Sequence, residues 1–106
     1  MTQTTQQLIA HWAKRHAEDI LDLLIVGSQA AADERFAPAP GSDVDLLIIT
    51  RHGSDQRGLM QGLAEAGLRC HVLFHPLIMT EDEWKEKNQM PLYRRMALGG
   101  RRVVTG

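Results

Sequence analysis

The sequence predicts an α/β (α+β) protein whose mixed β-sheet is flanked by helices. Two short apolar runs, residues 23–26 and 44–50, have the length and the leucine- and isoleucine-rich composition of buried strands. Segments with apolar residues at helical spacing lie between and around these runs. Alternation of strands and helices is typical of a sheet covered by helices. At 106 residues, the chain is expected to form a single domain over residues 1–106.

The N-terminal elements follow from caps and spacing. Thr5 is placed to cap a first helix that runs to about residue 19. The apolar face of this helix is expected to comprise Leu8, Ile9, Trp12, Ala13 and His16. Residues 23–26 form the first strand, residues 28–35 a short helix and residues 36–42 a proline-containing loop.

The second strand, residues 44–50, is apolar on both faces, which predicts a central position in the sheet. Ser54 and Asp55 then offer caps for a helix that runs to about residue 66, where Gly67 is placed to end it. The buried stripe of this helix is expected to contain Leu59, Met60 and Leu63.

The remaining elements are a third strand over about residues 69–78, interrupted by Pro76, and two short helices. Thr80 and Glu83 form a capping-box pattern at the start of a helix that runs toward residue 87. Pro91 can begin the next helix, which Gly99 and Gly100 would end. Residues 101–105 are expected to add a short terminal strand.

Composition and charge favour some classes of partner less than others. The formal net charge of −1 does not indicate binding to nucleic acid or to an anionic membrane. No apolar run approaches the length that spans a bilayer, and residues 1–7 lack the pattern of a secretory signal. The single cysteine, Cys70, cannot form an intrachain disulfide, so a cytoplasmic location is expected.

Asp43 and Asp45 are the strongest functional signal. They are two residues apart at the start of a strand, so their side chains should project from the same face. Like charges about 5–6 Å apart repel by about 1 kcal/mol in water and about 3 kcal/mol at an effective dielectric constant near 20. A divalent cation between the carboxylates would relieve this repulsion, and hard oxygen ligands suit Mg²⁺.

A second motif lies about fifteen residues earlier, where Gly27 ends a strand and Ser28 begins a helix-prone stretch. Glycine allows close approach of the backbone to a ligand. A serine at a helix start lies beside free backbone N–H groups and the positive end of the helix dipole, which together favour phosphate. The two strand ends therefore predict a phosphate site next to a metal site.

The combination of Gly27-Ser28 with Ser42-Asp43-Val44-Asp45 resembles the signature of the DNA polymerase beta-like nucleotidyltransferase superfamily, and most closely its minimal nucleotidyltransferases. The resemblance covers roughly residues 5–104. It implies a nucleotidyltransferase-type fold and transfer of a nucleoside monophosphate, with ATP as the expected donor and Mg²⁺ or Mn²⁺ as the cofactor. Asp43 and Asp45 would be the catalytic, metal-binding residues, and Gly27, Ser28 and Ser42 would bind the nucleotide.

The sequence departs from the family pattern at one point. Full members of the family carry a third carboxylate on a neighbouring strand. The corresponding stretch here, residues 70–75, contains no acidic residue. His71 is the nearest substitute and could act as a base, because histidine titrates near neutral pH. The alternative is that His71 and His75 lie on an outer face without a role in catalysis.

Two classes of function remain open. The resemblance implies an enzyme whose acceptor is a separate molecule, and minimal members commonly pair with a small helical HEPN-type protein in toxin–antitoxin modules. The alternative is a weak or inactive binding module of the same fold that neutralises a partner by occlusion. The acceptor, the nucleotide base and formation of a homo-oligomer are left open by the sequence.

Overall fold

The structure, a computed structural model, describes residues 5–27 and 43–103. The predicted helix 28–35 and loop 36–42 lie outside the described residues, as do Ser28 and Ser42 of the two motifs. The elements in chain order are α1 (Thr5–Arg15), β1 (Ile20–Val26), β2 (Asp43–Thr50), α2 (Gln56–Cys70), β3 (Leu73–Thr80), α3 (Glu81–Lys87), α4 (Pro91–Gly99) and β4 (Arg101–Arg102). The predicted fold class is confirmed, because these elements form a mixed α/β structure.

The four strands form one sheet in the order β3-β2-β1-β4. The central pair, β1 and β2, is antiparallel, whereas β3 runs parallel to β2 after the α2 crossover. The short strand β4 pairs with β1 and is held there by Arg102, which donates two 3.0 Å hydrogen bonds to the carboxylate of Asp22. The predicted central position of β2 is therefore confirmed.

The two faces of the sheet are covered by different helices. Helices α1 and α2 cover one face, where Trp12 of α1 and Leu63 of α2 pack against strand residues such as Leu46. Helices α3 and α4 cover the other face, where Trp84 and Met96 pack against a smaller set of strand residues. We call the second surface the α3–α4 face. Among the described residues, no helix is long and apolar enough to cross a bilayer.

Two helix ends differ from the prediction. Helix α1 ends at Arg15, four residues early, because tight backbone hydrogen bonds such as that from His16 N–H to the Ala13 carbonyl replace the helical pattern. Helix α2 begins after Asp55, which accepts a hydrogen bond from Gly58 N–H, but it continues through Gly67 to Cys70. The predicted buried Met60 is instead 47% exposed.

The third strand starts and ends later than predicted. Strand β3 begins at Leu73 and continues through Pro76 to Thr80. Its position at the sheet edge explains this, because a proline without an N–H is tolerated on an edge strand. The capping box of Thr80 and Glu83 is present, and α3 ends at the predicted Lys87. Helix α4 likewise begins at Pro91, as predicted.

Candidate active site

Three strand ends meet at one edge of the sheet. The antiparallel pairing places Val26, at the end of β1, opposite Asp45 near the start of β2. The parallel pairing places His75 opposite Asp45 from the other side. The end of β1 and the starts of β2 and β3 therefore bring Gly27, the two aspartates and His75 into one neighbourhood.

Asp43 and Asp45 share a face of β2, as their spacing predicted. Both are exposed, whereas Val44 between them is only 1% exposed and packs in the core under α1 and α2. Alternation along the strand places the aspartates on the α3–α4 face together with Leu47, which is buried there. The carboxylates thus occupy the solvent-accessible end of a strand whose next residues on that face are buried.

Gly27 connects the first motif to the second. Its φ of +75° lies in the left-handed region, and a Cβ at this position would lie 2.8 Å from Oδ2 of Asp45. A side chain here would collide with the carboxylate, so the absence of one allows backbone and carboxylate to approach closely. The sequence predicted that the two motifs meet, and the described half of each, Gly27 and the aspartates, is adjacent.

His75, rather than His71, lies beside the carboxylates. Its Nε2 is 3.5 Å from Oδ1 of Asp43, and the side chains are 50% and 61% exposed respectively. His71 precedes β3 and ends α2 in a left-handed conformation, with φ of 58°. The prediction that His71 lies on the strand was wrong, because α2 extends to Cys70 and delays the start of β3 to Leu73.

His75 could not be assigned to this site from the sequence alone. The predicted strand included both histidines, and without the alignment of β3 to β2 neither could be placed opposite a particular aspartate. The observed register, Asp43 with Leu73 and Asp45 with His75, makes that assignment. His75 thus lies on the neighbouring strand, where the sequence resemblance implies a third carboxylate.

Two exposed carboxylates suit a divalent cation that takes its remaining ligands from water or phosphate oxygens. In residues 5–27 and 43–103, no group of three or more histidine, cysteine or acidic side chains is arranged to hold a metal ion. Asp43 and Asp45 nevertheless supply two exposed carboxylates. Mg²⁺ is commonly held by one or two carboxylates together with water and phosphate oxygens, so these two residues match its requirements.

Other basic and thiol side chains lie apart from this constellation. Arg94 and Arg95 are exposed on α4, and Arg102 is engaged with Asp22. Cys70 is half-buried at the end of α2, where burial raises the pKa of its thiol and so disfavours the reactive thiolate.

The chain was compared with known proteins in three ways. Protein-family models, curated proteins and solved structures yield no match to it. Function must therefore be argued from the two motifs and from the geometry that brings Gly27, Asp43, Asp45 and His75 together.

Proposed function

We propose that this chain is a Mg²⁺-dependent nucleotidyltransferase that transfers a nucleoside monophosphate, with ATP as the expected donor, to an acceptor. The observation that carries the proposal is the contact of Gly27 with the carboxylate of Asp45. Gly27 of the first motif and Asp45 of the second, which are separated in sequence, therefore lie together at one edge of the sheet. Nucleotide transfer needs a phosphate-binding turn and a metal-binding carboxylate pair at the same place.

In the proposed reaction, an acceptor hydroxyl attacks the α-phosphorus of the nucleotide, and the bond to the departing pyrophosphate breaks. Asp43 and Asp45 would hold Mg²⁺, which would offset negative charge on the phosphates. Gly27 keeps the β1 backbone close to Asp45, and Ser28 and Ser42 would contribute to nucleotide binding. His75 would orient Asp43 through the 3.5 Å contact between Nε2 and Oδ1.

A small helical HEPN-type partner is the proposed acceptor, as the sequence resemblance implies. In this part of the proposal, the chain and its partner form the two halves of a toxin–antitoxin module. Asp45→Asn would then abolish transfer to the partner, since an amide is a far poorer Mg²⁺ ligand than a carboxylate, and the fold would be retained because Asp45 is exposed.

The second candidate function is a catalytically weak binding module that neutralises a partner by occlusion. The specific observation that favours it is the histidine opposite Asp45, where the resemblance implies a carboxylate. A neutral or positively charged imidazole cannot replace the negative charge of a carboxylate beside a metal ion.

The decisive experiment is calorimetric titration of ATP, with and without Mg²⁺, into the wild type and into Asp43→Ala/Asp45→Ala. A matched control, Asp82→Ala/Glu86→Ala, removes two exposed carboxylates from α3. Helix α3 follows the far end of β3, seven residues or about 23 Å from the level of Asp43. The control therefore changes net charge equally without touching the site.

We expect Mg²⁺-dependent binding to the wild type and to the control, and its loss in Asp43→Ala/Asp45→Ala with an unchanged circular dichroism spectrum. Equal binding to all three proteins would refute the assignment of the aspartates. Absence of binding to folded wild type would contradict the enzyme proposal. Neutralisation of the partner by Asp43→Ala/Asp45→Ala would then identify the occluding module.

A further inference from the structure

A cavity of about 330 Å³ lies between α1 and α2, on the sheet face opposite the aspartates. Its lining comprises Trp12, Arg15, His16, Gly62, Glu65, Ala66 and Arg69. The volume falls within the range of small-molecule sites in proteins. None of the lining residues belongs to the proposed nucleotidyltransferase site, so the cavity requires a separate explanation.

The floor of the cavity contains an unsatisfied hydrogen-bond donor. Trp12 is only 1% exposed, and its indole Nε1–H is buried with no hydrogen-bond acceptor among the described residues. A buried donor without a partner is destabilising, so native proteins rarely leave one unpaired. Gly62, which also lines the cavity, lies against this nitrogen, because a Cβ there would be 3.2 Å from it.

The rim of the cavity carries more positive than negative charge. Arg15 at the end of α1 and Arg69 near the end of α2 are exposed, and Glu65 is the single acidic residue in the lining. Within the described ranges, neither guanidinium group forms a hydrogen bond or an ion pair. Two exposed guanidinium groups without partners present hydrogen-bond donors without acceptors, which is the chemistry that recognises an oxyanion.

Aromatic and small apolar groups lie between these charged residues. Trp12 and His16 have ring centroids 5.3 Å apart with planes tilted by 50°, and Ala66 contributes a methyl group from α2. Pockets that combine apolar surface with a few polar groups bind small organic molecules. We propose that the cavity binds a small organic molecule that carries a carboxylate or phosphate group. The oxyanion lies between Arg15 and Arg69, beside the indole ring of Trp12.

The test uses the indole N–H signals of ¹⁵N-labelled protein in two-dimensional NMR. The chain contains two tryptophans, Trp12 and Trp84, and Trp84 lies on the α3–α4 face and serves as an internal reference. The probes are benzoate and inorganic phosphate, with benzamide as the neutral counterpart of benzoate. We expect benzoate or phosphate to shift the Trp12 signal saturably while the Trp84 signal stays in place, and benzamide to bind at least about tenfold more weakly than benzoate.

Two variants assign the binding to the cavity. Arg15→Gln/Arg69→Gln should weaken probe binding about tenfold for each guanidinium removed. Its matched control, Arg57→Gln/Arg94→Gln, removes two exposed arginines outside the cavity and should leave binding unchanged. Gly62→Ala adds a methyl group to the cavity lining, 3.2 Å from Nε1 of Trp12, and should weaken probe binding, while alanine is compatible with the helix.

The proposal is overturned if neither anion shifts the Trp12 signal saturably. It is equally overturned if Arg15→Gln/Arg69→Gln and its control bind the probes alike, or if benzamide binds as well as benzoate. None of these measurements involves ATP, Asp43 or Asp45. The test of the cavity therefore remains valid if the nucleotidyltransferase proposal is wrong.

Discussion

Gly27 and Gly53 adopt nearly the same backbone conformation, with φ of +75° and +83°, but their surroundings differ. A Cβ on Gly53 would meet nothing within 4 Å, whereas a Cβ on Gly27 would contact the carboxylate of Asp45. Substitution of Gly53 therefore measures only the cost of a side chain at a left-handed backbone position. Substitution of Gly27 adds the cost of displacing the Asp45 carboxylate.

We predict that Gly27→Ala and Gly53→Ala each lower the free energy of unfolding by about 1–2 kcal/mol, because both place a side chain in the left-handed region. Only Gly27→Ala should also abolish Mg²⁺-dependent binding of ATP, since its methyl group displaces the Asp45 carboxylate. Urea denaturation and calorimetric titration of both variants measure the two effects. Unimpaired binding by folded Gly27→Ala would show that the contact with Asp45 has no part in the site.

The histidines illustrate which parts of the site the sequence could predict. The common face of Asp43 and Asp45 follows from a spacing of two along one strand, which is local information. The contact between His75 and Asp43 depends on how a parallel strand aligns after a long crossover, and a shift by one residue would turn His75 to the other face. No local pattern encodes that alignment, so His71 could not be rejected in favour of His75 beforehand.

At the scale of elements, Gly67 shows tertiary packing overriding a local end signal. A glycine after an amphipathic stretch typically ends a helix, but α2 continues for three more residues and His71 adopts the left-handed position instead. Gly67 is buried against the chain that returns into β3. A Cβ on it would lie 2.5 Å from the carbonyl oxygen of Val72 and 3.0 Å from Cδ2 of Phe74.

We predict that Gly67→Ala lowers the free energy of unfolding by about 2 kcal/mol, because the added methyl group collides with backbone that cannot easily move. Helix propensity alone predicts the opposite sign, a gain of up to about 1 kcal/mol. Urea denaturation distinguishes the two. The matched variant Ala64→Gly, at an exposed position of α2, measures the propensity term alone and should lose about 1 kcal/mol. A stabilised Gly67→Ala protein would refute the packing argument.

Other element boundaries were predictable because their determinants are local. The capping box at Thr80 and the proline at the start of α4 act within one turn of helix, and both elements begin where these residues place them. Strand β3 passes through Pro76 because it is an edge strand, and edge position is a property of the whole sheet. The sequence therefore predicted helix starts better than it predicted the extent of β3.

At the scale of the molecule, the two layers of helices are unequally anchored. Among the described residues, the core under α1 and α2 contains fourteen buried residues, including five from those helices. In the same part of the chain, the core on the α3–α4 face contains five buried residues, all of them from strands. Helices α3 and α4 contribute no buried residue, and Leu92 and Leu98 of α4 are 65% and 80% exposed. The helical layer on the face that carries the aspartates is thus held mainly by half-buried side chains.

We predict that α4 opens without unfolding of the sheet, because so little apolar surface anchors it. In native-state hydrogen exchange, the protected amides of α4 should exchange with an opening free energy at least about 2 kcal/mol below that of β2 and with little dependence on denaturant. Thr80→Ala, which removes the capping box of α3, should accelerate exchange in α3 while β2 follows only the small change in global stability. Equal opening free energies and denaturant dependences for α4 and β2 would refute this, and would mean that both helical layers unfold with the sheet as one cooperative unit. The predicted difference would instead place the candidate active site beside the part of the fold that opens most readily.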